Sequence, residues 1–219
     1  MKIDMMKHRA WMRLPSGRHL DLVNPDSNAW LHSDLATRLS RTARWGGESK
    51  WPMTLSVAQH SLMVLELVTA WSETPLTPAE ALRELLHDAE EGFLGFDAIA
   101  PLKPVLGEAF RQLCARLMAA IETRYELPAW SDEAHALHKR ADHAAAASEA
   151  FHCVGWSREE ISEVLGIEAP VLAVDVLSSV YGDTPWEPWA PEVAARRFLE
   201  RLEALLAARE AELCEAVGG

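Results

Sequence analysis

Residues 84–96, ELLHDAEEGFLGF, set Glu84, His87, Asp88, Glu90 and Glu91 among Leu85, Leu86, Phe93 and Leu94, which are residues of core type. Isolated charges are costly to remove from water, so buried ionisable groups are paired, neutralised or bound to a metal. Any fold this chain adopts must bring partners for these side chains from elsewhere in the sequence. The surrounding pattern limits which fold that is. TPAEALRELLHDAEEGF opens with Thr77 as N-cap, Pro78 at the first helical position and Glu80 at the third, and it reads as one helix.

The same periodicity recurs along the chain. SDLATRLSRTARW carries Leu35, Leu39 and Ala43 at four-residue spacing behind a Ser33 or Asp34 cap. Residues 54–71, TLSVAQHSLMVLELVTAW, read as a buried helix, and further helices are predicted in EAFRQLCARLMAAIETRYEL, SDEAHALHKRADHAAAASEAFHCVG and EVAARRFLERLEALLAARE. The first 25 residues read as irregular or short extended structure around a Pro15-Ser16-Gly17 turn, while RWGGESKWP and GFDAIAPLKPVLG read as loops. With no strand–helix alternation and no internal repeat, the expectation is an all-α fold in one domain over 1–219. Its core is expected at about 28–155, with the linker and C-terminal helix of 184–219 packed on it. That helix has Phe198, Leu202, Leu205 and Leu206 on one side; packing on the core is the default and a homodimer seam the alternative.

Composition narrows the function. A net charge of −12 argues against a protein that grips long nucleic acid by its phosphates, although a few local cations and a metal can still hold a small anion. No run of about 18 apolar residues predicts a membrane span, and MKIDMMKHRAWMRLPSGR lacks the apolar centre of a signal peptide. Three widely spaced cysteines, Cys114, Cys153 and Cys214, read as reduced thiols. The expected location is the cytoplasm.

On a continuous helix His87 and Asp88 point in adjacent directions, and Glu91 falls between them one turn on. Alone, the His-Asp pair fits a helix end meeting solvent, His60 fits a satisfied core histidine, and Asp142 fits a salt bridge to Lys139 or Arg140. Together His60, the His87-Asp88 pair and Asp142 stand on three different predicted helices and compose a mixed N/O donor set. Such a set suits one divalent ion: Mn²⁺, Fe²⁺, Co²⁺, Ni²⁺, Zn²⁺ or Mg²⁺. His135 and His138 read as a surface cluster beside Lys139 and Arg140, or as ligands of a second metal. Among nine tryptophans, Trp45 and Trp51 flank the Gly-Gly loop and are the candidates for substrate stacking; the rest read as core. Lys103 is either a cation for phosphoryl oxygens or a solvated loop lysine.

The segments RWGGE, SVAQHS, LLHDAEEGFLGF, PLKP and KRAD, spread over roughly residues 12–150, resemble the HD-domain metal-dependent phosphohydrolases, most of all the branch around the bacterial 5′-deoxynucleotidases. The resemblance implies a helical HD-domain bundle with a metal on His60, His87, Asp88 and Asp142 and a catalytic glutamate at Glu91. It also implies an acid at Asp97, although GFD is one residue longer than the commoner GD. Arg44 is implied to contact phosphate and Trp45 to discriminate the sugar. Glu48 stands beside the substrate where many relatives of this motif have histidine. The implied activity is hydrolysis of nucleoside 5′-monophosphates. Release of triphosphate from a dNTP, cleavage of another small phosphomonoester, and nucleotide binding without catalysis are the alternatives.

Overall fold

The computed structural model describes residues 10–99 and 102–218, so the first nine residues read above lie outside it. It is an all-α fold with one small hairpin. Strands β1 (Trp11–Arg13) and β2 (His19–Asp21) pair antiparallel with Met12 opposite Leu20. Period-two alternation turns Leu20 inward, where it is fully buried beside Leu14. The hairpin tip is tied to helix α1 (His32–Arg41) by Asp34, whose carboxylate accepts from Ser16 N–H at 2.7 Å and Ser16 Oγ at 2.8 Å. Asp34 is thus not the cap expected from the sequence. It lies at the third helical position and accepts from the N–H of the N-cap residue, Leu31, at 2.8 Å.

Helix α2 (Val57–Trp71) is the central element, with Ser56 capping Gln59 N–H. Eleven of its fifteen residues are buried, which is why its pattern is apolar on every side rather than amphipathic. Helices α3 (Pro78–Leu85) and α6 (Asp132–Glu149) pack against it. The alanine face of α6, Ala141, Ala144 and Ala145, is fully buried and permits close approach. Helix α9 (Pro191–Gly218) lays Phe198 and Leu202 into the core against α1 and α3.

The one helix expected across 77–93 is two. Thr77 and Glu80 form the capping box that starts α3, but the chain leaves the helix at Leu86 (φ −104°, ψ 13°) and Asp88 (φ −113°, ψ 23°) before α4 (Ala89–Leu94) begins. In a continuous helix the Glu84 carbonyl would accept the Asp88 N–H. Here it accepts from His87 Nδ1 at 2.8 Å, so the break is sealed by the histidine itself. Helix α5 (Lys103–Tyr125) starts four residues before a kink at Gly107 (φ 75°), turning the expected PLKP loop into a helix start. Two short helices, α7 (Arg158–Glu163) and α8 (Val176–Tyr181), follow a π-turn at Ala150–Val154. Among the described residues no helix is long and apolar enough to cross a membrane.

Candidate metal centre

The break between α3 and α4 puts His87 and Asp88 against His60 on α2 and Asp142 on α6. His60 Nε2 lies 3.3 Å from His87 Nε2, 3.3 Å from Asp142 Oδ1 and 3.7 Å from Asp88 Oδ2. His87 Nε2 lies 3.2 Å from Asp88 Oδ2. Ligand atoms of His60, His87 and Asp88 all fall within 4.8 Å of one another. Three of the four residues singled out in the sequence therefore converge, and the fourth, Asp142, joins them through His60. Asp142 meets its salt-bridge alternative as well, since its Oδ2 is 3.3 Å from Lys139 Nζ.

Hydrogen bonds behind the two rings fix their tautomers. His60 Nδ1 is 2.6 Å from Glu149 Oε1, and His87 Nδ1 is 2.8 Å from the Glu84 carbonyl. An ionised carboxylate and a carbonyl can only accept, so both Nδ1 atoms carry hydrogen and the neutral rings turn bare Nε2 lone pairs toward each other. Two lone pairs and two carboxylates so placed can be satisfied by protons or by a cation. Nitrogens each about 2.0–2.1 Å from a metal stand roughly 2.8–3.4 Å apart between right-angle and tetrahedral geometry, which the 3.3 Å separation meets. The donor set fits a divalent ion, and the acceptors behind each ring are the orienting partners such sites use.

Without metal, protons fill the gap. Burial would lower the His87 pKa, but Asp88 and Asp142 outweigh it and raise the ring to about 9. His60 is raised too, with burial and Arg44 opposing and Glu149 and Asp142 prevailing. Conversely, against burial, the neighbouring imidazoles hold Asp88 and Asp142 well below the usual carboxylate range.

Beside the cluster, Arg44 is buried and its Nε donates to Glu149 Oε2 at 2.9 Å, leaving Nη1 3.3 Å from Asp97 and 3.9 Å from Asp88. Trp45 adopts φ 57° and donates Nε1–H to the same Glu149 oxygen at 3.1 Å. Left-handed backbone is costly for an aromatic residue, and this bond is part of what holds it. Glu91 is 3% exposed; Lys103 Nζ sits 3.3 Å from its Oε1, and its Oε2 has no partner among the described residues. Burial, then Asp88 and Asp97, push the Glu91 carboxyl up to about 9. Glu48 is exposed, and its N–H closes the 3₁₀ turn Trp45–Gly47 on the Trp45 carbonyl. Its side chain is not one of those that converge on His60 and Asp88.

Two further residues belong to the site. Glu149 is fully buried and joins His60, Arg44 and Trp45. The signal for it was its spacing, seven residues after Asp142 and so on the same face of α6 two turns on. His138 is not on the surface. It is buried, its Nδ1 donates to Glu84 Oε2 at 2.7 Å, and its ring packs on His87 with centroids 4.8 Å apart. His135 is exposed. Trp51 is half-buried and donates to the His152 carbonyl in the π-turn, away from the cluster.

An all-α protein with a cluster of two histidines and two aspartates around the buried His60 is the class that fold and site define. No family model matches the chain. The chain belongs to the same family as an uncharacterized protein of Rhodobacter capsulatus, to which it is 39% identical over 165 residues, 75% of this chain and 83% of that protein.

Proposed function

We propose that the protein is a divalent-metal-dependent phosphohydrolase acting on nucleoside 5′-monophosphates. The observation that carries this reading is the convergence of His60, His87, Asp88 and Asp142, with both imidazoles locked to offer Nε2. A divalent ion held there supplies Lewis acidity toward a phosphoryl oxygen and lowers the pKa of a bound water.

The chain's own groups divide the remaining work. Arg44 is charged at every accessible pH, because Glu149, Asp97 and Asp88 more than offset its burial, and its Nη1 edge is turned toward Asp88 to meet phosphoryl oxygens. Lys103, raised to about 12 by Glu91 and Asp88 against burial, supplies a second cation from the other side. Glu91 moves the proton at Oε2: its raised pKa puts it near the operating pH of a general acid or base.

The test is phosphate release. Chelator-stripped protein is given nucleoside mono- and triphosphates with Mn²⁺, Co²⁺, Mg²⁺ or Zn²⁺ restored singly. Metal-dependent release of inorganic phosphate from monophosphates, lost in Asp88→Ala, is the expected outcome. Tripolyphosphate from dNTPs would replace the substrate, and metal bound with no hydrolysis of any phosphoester would overturn the enzyme reading.

A further inference from the structure

A cavity opens beside Glu91. It has a volume of about 180 Å³ and lies between α4 and the start of α5, lined by Glu90, Glu91, Phe96, Lys103, Phe110 and Cys114 among others. Sites enclosing a whole drug-sized ligand run to roughly 300–1,000 Å³, so this one has room for a single planar ring system. Its walls suit such a ring. Phe96 and Phe110 stand as a stacked pair with centroids 5.8 Å apart and planes 29° apart, and Phe96 is 43% exposed. An aromatic side chain left this open beside a cavity is a stacking surface awaiting a partner.

The polar content is specific. Oε2 of Glu90 and Oε2 of Glu91 are both buried with no hydrogen-bond partner among the described residues. Glu91 also faces Lys103 through Oε1, whereas Glu90, whose carboxylate comes within 4.8 Å of those of Asp88 and Glu91, leaves Oε2 without a hydrogen-bond partner among the described residues. A buried carboxylate oxygen without a donor is expensive. It is satisfied by a ligand that brings an N–H into an otherwise apolar slot.

Resting on the phosphohydrolase reading, we infer that this cavity receives the nucleobase of the substrate, and that Glu90 selects bases carrying an exocyclic amino group. Phe96 and Phe110 contact the ring, and Glu90 Oε2 accepts from the amino N–H of cytosine or adenine. Uracil and hypoxanthine present a carbonyl oxygen at that position. Two acceptors then face each other and the carboxylate stays unpaired, which is the configuration that polar sites reject most strongly.

The experiment compares isosteric pairs on the metal-loaded protein. kcat/KM is measured for dCMP against dUMP, for dAMP against dIMP, and for 2-deoxyribose 5-phosphate, which has no base. Expected is a preference of about tenfold or more for the amino member of each pair, with the sugar phosphate weakest. In Glu90→Gln, whose amide can both donate and accept, each pair should come within about twofold while the sugar phosphate is unchanged. Phe110→Ala should raise KM for nucleotides and leave the sugar phosphate alone, so the proposal does not hang on one variant. Equal rates within each wild-type pair, or a preference that survives Glu90→Gln, would overturn the base-selection inference while leaving the phosphohydrolase intact. Absence of hydrolysis for all five compounds would remove both.

Discussion

Glu149 Oε1 lies 2.6 Å from His60 Nδ1, behind the His-Asp cluster and out of contact with solvent. Against burial, Arg44 and then His60 hold this carboxyl down to about 2, so it remains an anion that can only accept. It therefore dictates which His60 nitrogen faces His87 and, through Oε2, how Arg44 is aimed.

Glu149→Gln tests that role. The amide is isosteric, but it loses the charge that pins His60 and Arg44. Metal affinity, read by calorimetric titration of Mn²⁺, should fall about 10- to 100-fold, the usual effect of removing an orienting partner behind a ligand. Far-UV circular dichroism should be unchanged. An unaltered affinity would show that His60 needs no such anchor.

Glu91→Gln separates chemistry from stability. Glu91 touches no metal-facing nitrogen, so Mn²⁺ should still bind, while kcat should drop about 10²- to 10⁴-fold with the loss of the proton-transfer group. The same change removes a buried acid that Asp88 and Asp97 repel. The metal-free variant should therefore melt at or above the wild-type temperature at pH 8. A lower kcat accompanied by lost metal would move Glu91 into the ligand set.

The residues of this site were more legible in the sequence than its geometry. His60, Asp88 and Asp142 stood out as polar residues in apolar or alanine-rich helical text, and the amphipathic helices around them needed only their period. The break at Leu86–Asp88 left no mark: no Gly or Pro punctuates RELLHDAEE, and the helix ends because His87 and Asp88 are drawn to His60 by long-range contact. Glu149 and His138 were missed for a related reason. A buried polar residue on a helix looks like a surface one until its partner, 89 residues away for Glu149 and 54 for His138, is known.

Gly92→Ala probes how tightly α4 is held. A Cβ there would lie 3.0 Å from the Leu39 side chain and 3.3 Å from the Leu39 backbone nitrogen, so α1 and α4 touch at that residue. Arg38 reinforces the contact by donating Nε–H to the Gly92 carbonyl at 2.9 Å. The added methyl must push the helices apart, costing about 1–3 kcal/mol, or roughly 2–9 °C in Tm for a chain of this size. Because Glu91 is the preceding residue, kcat should fall more than metal affinity does. A variant with wild-type Tm would mean that the two helices slide without strain.

The pH dependence of stability should reverse when metal is added. In the metal-free protein His87 is raised to about 9 and Glu91 to about 9, while Glu90 is raised to about 7 by burial and Asp88. Each of these groups binds its proton more tightly folded than unfolded, so stability falls as pH rises from their unfolded values through the folded ones. For His87 that window runs from about 6.5 to 9, and for the two glutamates it starts near 4.5. Asp88, Asp142 and Glu149 have the opposite sign, but their contribution is complete once pH exceeds the ordinary carboxylate range. Between pH 6.5 and 9, then, only the destabilising trend remains, and Tm of chelated protein should drop by roughly 10 °C or more. Metal replaces the protons on His60 and His87, so its apparent affinity should climb over the same range, and the loaded protein should hold or gain Tm where the stripped one loses it. Parallel pH profiles with and without Mn²⁺ would show that the imidazoles are not where the cation sits.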